Sequence, residues 1–265
     1  MFKVLIQRIR LPESQQPLWR WPLPFWVLVS YIIATLVGVL MVTTWREDDI
    51  SNPDAISLLA AGIIGSLLTI WAIVQNIRAA IIDVEQSTKQ QNKPLTLSGL
   101  LALRESRSRP LWVIWLTALI MVIAIESLAL VIGRPTTSFP LGLDRIDGAG
   151  FSAWVLAGAL LIIIRPIAEG LIFCGLLYPV LAKLLSDNLK AAFVTAGCMT
   201  LFYAVQVFNT DLGWNVLYWG IVFPFVLGLT ITLVRAHTKS TIAAIGSHAM
   251  FGLFIFISAL VIFLD

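Results

Sequence analysis

The sequence predicts an all-α polytopic membrane protein, and three observations predict it. Apolar residues fill 58% of the 265 positions and charged residues only 12%, about half of the roughly 25% charge of a soluble domain. Mean hydropathy is +0.90. The apolar residues fall into about seven runs, each near the roughly 20 residues that cross a hydrocarbon core about 30 Å thick. So little charge cannot wet the surface of a 29.2 kDa globule, so the excess faces lipid. Zinc spacings, a P-loop and a dinucleotide fingerprint are all missing from the sequence. The net charge of +3 reports topology and not a nucleic-acid partner.

Residues 1–22 are a basic N-terminal segment. Phe2, Ile6 and Ile9 share one helical face and Lys3, Gln7 and Arg10 another, the pattern of a short interfacial helix ended by Pro12. A solvated, fraying terminus accommodates the same residues. Residues 23–133 hold three spans, Leu23–Trp45, Ala55–Ile77 and Leu111–Gly133, with a loop at 78–110. Within that loop Leu95–Leu103 follows Pro94 and fits a second short helix on the membrane surface, while Glu47-Asp48-Asp49 reads as a solvated turn. Four spans follow in 151–265: Phe151–Leu185, Ala191–Phe208, Asn215–Val234 and Thr241–Leu264. The first of these would be about 52 Å long as a helix, and Pro166 removes one backbone donor within it. A long fourth helix kinked at Pro166 is the expectation. Trp21, Trp26, Trp45, Trp112, Trp154 and Trp214 stand near span ends, as interfacial anchors do. Cys174 and Cys198 lie inside apolar runs and read as small core residues.

Charge sets the parity. With seven spans and the N-terminus inside, fourteen of the eighteen Lys and Arg fall on the cytoplasmic side; Arg46, Arg134 and Arg145 fall outside and Arg165 is buried. The sequence thus describes an integral protein of a bacterial cytoplasmic or internal membrane, N-terminus cytoplasmic and C-terminus outside.

Four ionisable residues lie within spans: Glu126, Arg165, Glu169 and His248, with Gln206 as a neutral companion. Intramembrane charge marks a functional site or a paired structural contact. Arg165 and Glu169 are one turn apart on the same face, the spacing of an ion pair, which lets both stay charged at lower cost than either alone. Glu126 has no partner in its own span; protonation, or pairing with Arg165 across helices, would each satisfy it. His248 has small neighbours, Gly246, Ser247 and Ala249, which suit a hydrogen-bonding packing residue. At 1.5 Å per residue His248 lies about 11 Å from the cytoplasmic end of its span and Gln206 about 24 Å from its own. Strong tilts would be needed to bring them together.

The run Arg165-Pro166-Ile167-Ala168-Glu169-Gly170-Leu171-Ile172-Phe173-Cys174-Gly175-Leu176-Leu177-Tyr178 resembles the signature helix of the CPBP family. These are the CAAX-protease and bacteriocin-processing membrane proteins, related to the Ras-converting CAAX endopeptidase. Their motifs run Glu-Glu-x-x-x-Arg, then Phe-x-x-x-His, then His-x-x-x-Asn or Asp. Phe202-Tyr203-Ala204-Val205-Gln206 stands in the place of the second, and His248-Ala249-Met250-Phe251-Gly252 in the place of the third. The resemblance implies a CPBP-like four-helix core over 151–265. It also implies a catalytic role for Glu169 and His248, now vestigial. Gly170 replaces the second glutamate, Cys174 the arginine, Gln206 the first histidine and Gly252 the final Asn or Asp.

A general base needs a partner and reach to a water, and an oxyanion needs preorganised donors. Gln206 cannot exchange protons near neutral pH, and Gly252 has no side chain to donate with. The leading expectation is therefore a catalytically inactive CPBP-like scaffold, assembly or accessory subunit for another integral membrane protein. An active CAAX-type endopeptidase using Glu169 and His248 is the alternative. A bundle holding a lipid, quinone or pigment is the third, with His248 as a conceivable axial ligand. No cofactor is expected. Nor is a metal, since Glu169 and His248 supply two ligands where a site needs three or more. Membrane lipid and another membrane protein are the expected partners, and nucleic acid is not.

Overall fold

The computed structural model describes residues 9, 17–19, 21–46, 53–87, 95–103, 110–135, 139–140, 143–146, 148–207, 213 and 216–264. Among them seven helices are long and apolar enough to cross a membrane, and none of the described residues is in a strand. The chain is an all-α integral membrane protein. The Glu47-Asp48-Asp49 turn and Trp214 lie outside the described residues, as does most of the basic N-terminal segment.

Helix α1 (Pro22–Arg46) and helix α2 (Ala55–Ser87) form a hairpin. Lipid gives no hydrophobic drive for helices to associate, so small residues that let backbones approach do the work. Gly38 lies on Ala61, where an added Cβ would meet the carbonyl oxygen at 3.1 Å, and Gly65 lies against Thr35. The Tyr31 hydroxyl and Ser66 Oγ bond across the pair at 3.0 Å. Asp54 caps α2 by accepting from the Ser57 N–H at 2.7 Å and is held by Arg46 at 2.8 Å. Trp21, Trp26 and Trp45 are exposed, and so is Trp112 on the next span. Trp154 instead packs edge-on against Phe256, with centroids 6.0 Å apart.

The Leu-rich stretch of the long loop does form a short helix, α3 (Leu97–Leu100), capped by Thr96, which accepts from the Gly99 N–H. It does not lie on a surface, however. Leu100, Leu101 and Ala102 are buried. Thr241 donates its hydroxyl to the Leu101 carbonyl at 2.6 Å and its N–H to the Ala102 carbonyl at 3.0 Å. Helix α4 (Leu111–Val131) follows, and a 3₁₀ turn at Leu143–Arg145 places Leu143 in the core beside Ile146.

Helix α5 (Phe151–Leu185) is the axis of the molecule. Every residue from Ala168 to Leu181 is buried, as expected of a helix apolar all round at the centre of a bundle. Its irregularity at Pro166 takes the form of two wide π-helical stretches, Ala159–Ile164 and Gly170–Leu177, on either side of the α-helical turn Arg165–Glu169. Such stretches recur at functional sites. A carbonyl in the second stretch, Leu176, accepts from the Trp19 indole at 3.1 Å. Ile9 is also tied inward: it is buried and its carbonyl accepts from Asn188 Nδ2 at 2.8 Å. Ile9 and Trp19, two of the described residues of the N-terminal segment, are thus buried against the bundle.

Helices α6 (Asn188–Val207), α7 (Val216–Thr238) and α8 (Thr241–Leu264) wrap α5. Helix α7 runs four residues past the boundary read from the sequence. Arg235, counted there among the loop cations, is 2% exposed. Its Nε donates to Thr241 Oγ1 at 3.2 Å and its guanidinium lies 5.8 Å from the Tyr178 ring centre. Aromatic and hydroxyl partners let the helix end fold in rather than project.

Candidate functional site

The turn Arg165–Glu169 presents both charged side chains to the inside of the bundle, because residues four apart lie one above the other on a helix. Arg165 Nε donates to Glu169 Oε1 at 2.5 Å. The other carboxylate oxygen, Oε2, accepts from the Tyr203 hydroxyl at 2.8 Å, and His248 Nε2 lies 3.6 Å from it. Arg165 Nη2 donates to Gln206 Oε1 at 3.3 Å, and the guanidinium sits 4.5 Å over the centre of the Tyr203 ring. Glu169 is fully buried, with Arg165 5% and His248 4% exposed. Three helices, α5, α6 and α8, thus converge on one carboxylate. Gln206 reaches the centre through Arg165 and His248 through Glu169, so the difference in depth counted along their spans does not keep them from one cluster.

Tyr203 is the residue that sequence reasoning missed. It lies three before Gln206, hence on the same face of α6, and that spacing was the available signal. A buried tyrosine in an apolar span is otherwise indistinguishable from core.

The remaining positions of the resemblance are filled by packing. An added Cβ at Gly170 would run into the Ile245 side chain, so the place of a second carboxylate is occupied by an aliphatic one. Cys174 is wholly buried. At Gly252 the backbone of α8 lies against the Leu161 carbonyl in the first π stretch of α5, where no side chain fits. Beside these groups is a cavity of about 20 Å³, lined in part by Pro140, Arg165, Tyr203, Trp219, His248 and Gly252. That is room for about one water. His248 Nδ1 is buried and bonds to none of the described residues, so it could hold such a water.

Glu126 requires a correction. It does not pair with Arg165: Arg134 Nη2 donates to its Oε2 at 2.5 Å and the Tyr218 hydroxyl to its Oε1 at 2.7 Å. The Arg134 guanidinium is flanked by the rings of Tyr218 and Trp219, at 5.1 and 5.2 Å. Arg134, assigned to the outer loop on charge, is 6% exposed. Gly133 with φ +104 turns the chain back after α4 and makes this possible.

Metal ligation does not suit the Glu169 centre. Among the described residues no three His, Cys, Asp or Glu side chains converge, and the guanidinium of Arg165 already occupies the position where a cation would sit.

Compared with known families, residues 151–254 match the family model described as Rce1-like, type II CAAX prenyl endopeptidase. The matched stretch holds α5 to α8 up to Phe254, and with them Arg165, Glu169, Tyr203, Gln206 and His248. Neither the curated proteins nor the solved structures compared with the chain give a match.

Proposed function

We infer, from the premise that residues 151–254 are an Rce1-like domain of the CPBP family, that this integral membrane protein has turned the family's centre into a structural lock. On this reading it serves another membrane protein as a scaffold or accessory subunit. The observation that carries the reading is the state of Glu169. Both of its oxygens are engaged, one by Arg165 at 2.5 Å and the other by Tyr203 at 2.8 Å. With one hydrogen bond on each oxygen, about two of the carboxylate's four acceptor sites are taken and the group is committed to an ion pair, which works against service as a general base. Oxyanion donors are equally hard to find: Gly252 has no side chain, and losing one donor typically costs about 10²–10³ in rate. The cavity of about 20 Å³ admits a water but neither a peptide nor a pigment ring. In orientation we place the N-terminus in the cytoplasm, on the distribution of basic residues.

One observation favours the second reading, a residual endopeptidase. His248 Nε2 stands 3.6 Å from Glu169 Oε2 beside a one-water cavity, and catalytic hydrogen bonds are often long before substrate arrives. Purified protein offered prenylated and unprenylated membrane peptides decides between them. The scaffold reading expects no cleavage, and a stoichiometric membrane-protein partner on purification in mild detergent. Cleavage that Glu169→Gln abolishes overturns it.

A further inference from the structure

A larger cavity lies away from Glu169. A crevice of about 290 Å³ lies between α4 and α8, against about 20 Å³ for the cavity beside His248. Packed interiors leave few voids larger than a water, and about 300 Å³ is where ligand pockets begin. Its rim residues Leu130, Ile257, Val261 and Ile262 are between 37% and 57% exposed, on helices that cross the membrane. Whatever fills the crevice therefore enters sideways from the bilayer.

The lining has two characters. Phe139 and Phe254 make an apolar floor, and Phe139 is braced against Phe263 with centroids 5.7 Å apart. The α4 wall carries Glu126, Ser127 and Arg134, with Ser258 on α8. Arg134 lies three residues beyond the last residue of α4, at the level where the chain leaves the hydrocarbon and headgroups begin. From Phe254 to Ile262 the α8 wall runs about 12 Å along the helix axis. A narrow slot about that deep, mostly apolar, with hydroxyls partway along it and Arg134 at its headgroup end, matches a lipid chain attached to a polar head. A transmembrane helix about 10 Å across would not enter it.

We propose that this crevice is a lipid site: it holds one acyl chain of a bilayer phospholipid, whose headgroup oxygens face the Arg134 end. The site is independent of what Glu169 does, yet the two are neighbours. Phe139 lines the crevice and Pro140 lines the Glu169 cavity, so a single dipeptide separates them.

The test uses the full chain in vesicles of phosphatidylethanolamine and phosphatidylglycerol, with a tracer phosphatidylglycerol carrying a diazirine in its acyl chain. After illumination, adducts are mapped by mass spectrometry. A bound chain gives adducts on residues 127–130 and 254–262 about tenfold above those on the exposed face of α1 (Ile33, Leu36, Leu40), a ratio equivalent to about 1.4 kcal/mol of preference. Ser258→Phe, which fills the slot, should bring the crevice adducts down to the α1 level while those on α1 stay unchanged. If that variant does not fold, Leu130→Phe on the facing wall serves in its place. Equal labelling of crevice and α1 overturns the proposal. So does labelling that survives filling of the slot, or a polypeptide cross-linked to these positions in native membranes.

Discussion

Glu169 shows how a buried charge is made tolerable: one guanidinium, one phenol and one imidazole surround a single carboxylate, and the guanidinium is itself held by Gln206 and the Tyr203 ring. Such a pair stabilises only as a pair, and removing one member typically costs about 3–5 kcal/mol. Glu169→Gln should therefore lower the melting temperature in detergent, because Arg165 loses its counter-charge. Arg165→Met should be about as harmful, and the double variant should recover much of the loss. Equal, additive losses in the two singles and the double would sink the lock. Tyr203→Phe should cost about 1–3 kcal/mol, the usual penalty of a buried acceptor left without its donor, read in the same melting curves. The i,i+4 spacing of Arg165 and Glu169 was legible in the sequence because helix geometry alone brings such residues together. The partner of Glu126 was not. Arg134 lies eight residues on, past the end of the helix, and reaches back only because Gly133 takes a backbone conformation open to few other residues.

Among elements, the spans were legible because a bilayer demands length and apolarity and little else. Their ends were less so. Arg235 reads as a loop cation until a hydroxyl and an aromatic ring are seen to receive it, and the Leu-rich α3 fits a surface or an interior equally well by composition. Packing at glycine was the least visible of all. Gly252 stands where the resembling motif carries a polar residue, and only the structure shows that its missing side chain makes way for the Leu161 carbonyl. Gly252→Ala should consequently destabilise by about 1–3 kcal/mol or more, as overpacking does, because backbone has little freedom to retreat. A melting temperature unchanged in that variant would show that α8 can move away from α5 at no cost.

For the whole molecule, the arrangement is a central buried helix, α5, ringed by six lipid-facing spans with a polar centre on either side of the Phe139-Pro140 partition. The distribution of basic residues predicts a direction for this arrangement. Arg145→Cys should react with a membrane-impermeant maleimide on intact cells and Lys190→Cys only after permeabilisation, both positions being exposed. Cys174 is buried and gives no background of its own, while Cys198, half-buried within a span, can be changed to serine. Reversed labelling would invert the topology while leaving the fold untouched. The expected parity rests on loop charge, which acts during insertion, whereas the convergence of three helices on Glu169 depends on crossing geometry, which no single span encodes.

The two π stretches of α5 have a consequence for how this chain can change length. In Gly170–Leu177 the backbone bonds reach five residues back instead of four, so the helix carries a surplus residue per turn. Deleting one residue there would let the bonds revert to ordinary α spacing, with Glu169 on one side and Tyr178–Leu185 on the other keeping their facings. The same deletion within the regular part of α7 (Phe223–Thr238) would swing everything beyond it by about 100°. The helix bearing the polar centre is thus the one best able to absorb an indel, and length variation among kindred sequences should collect there rather than in its regular neighbours.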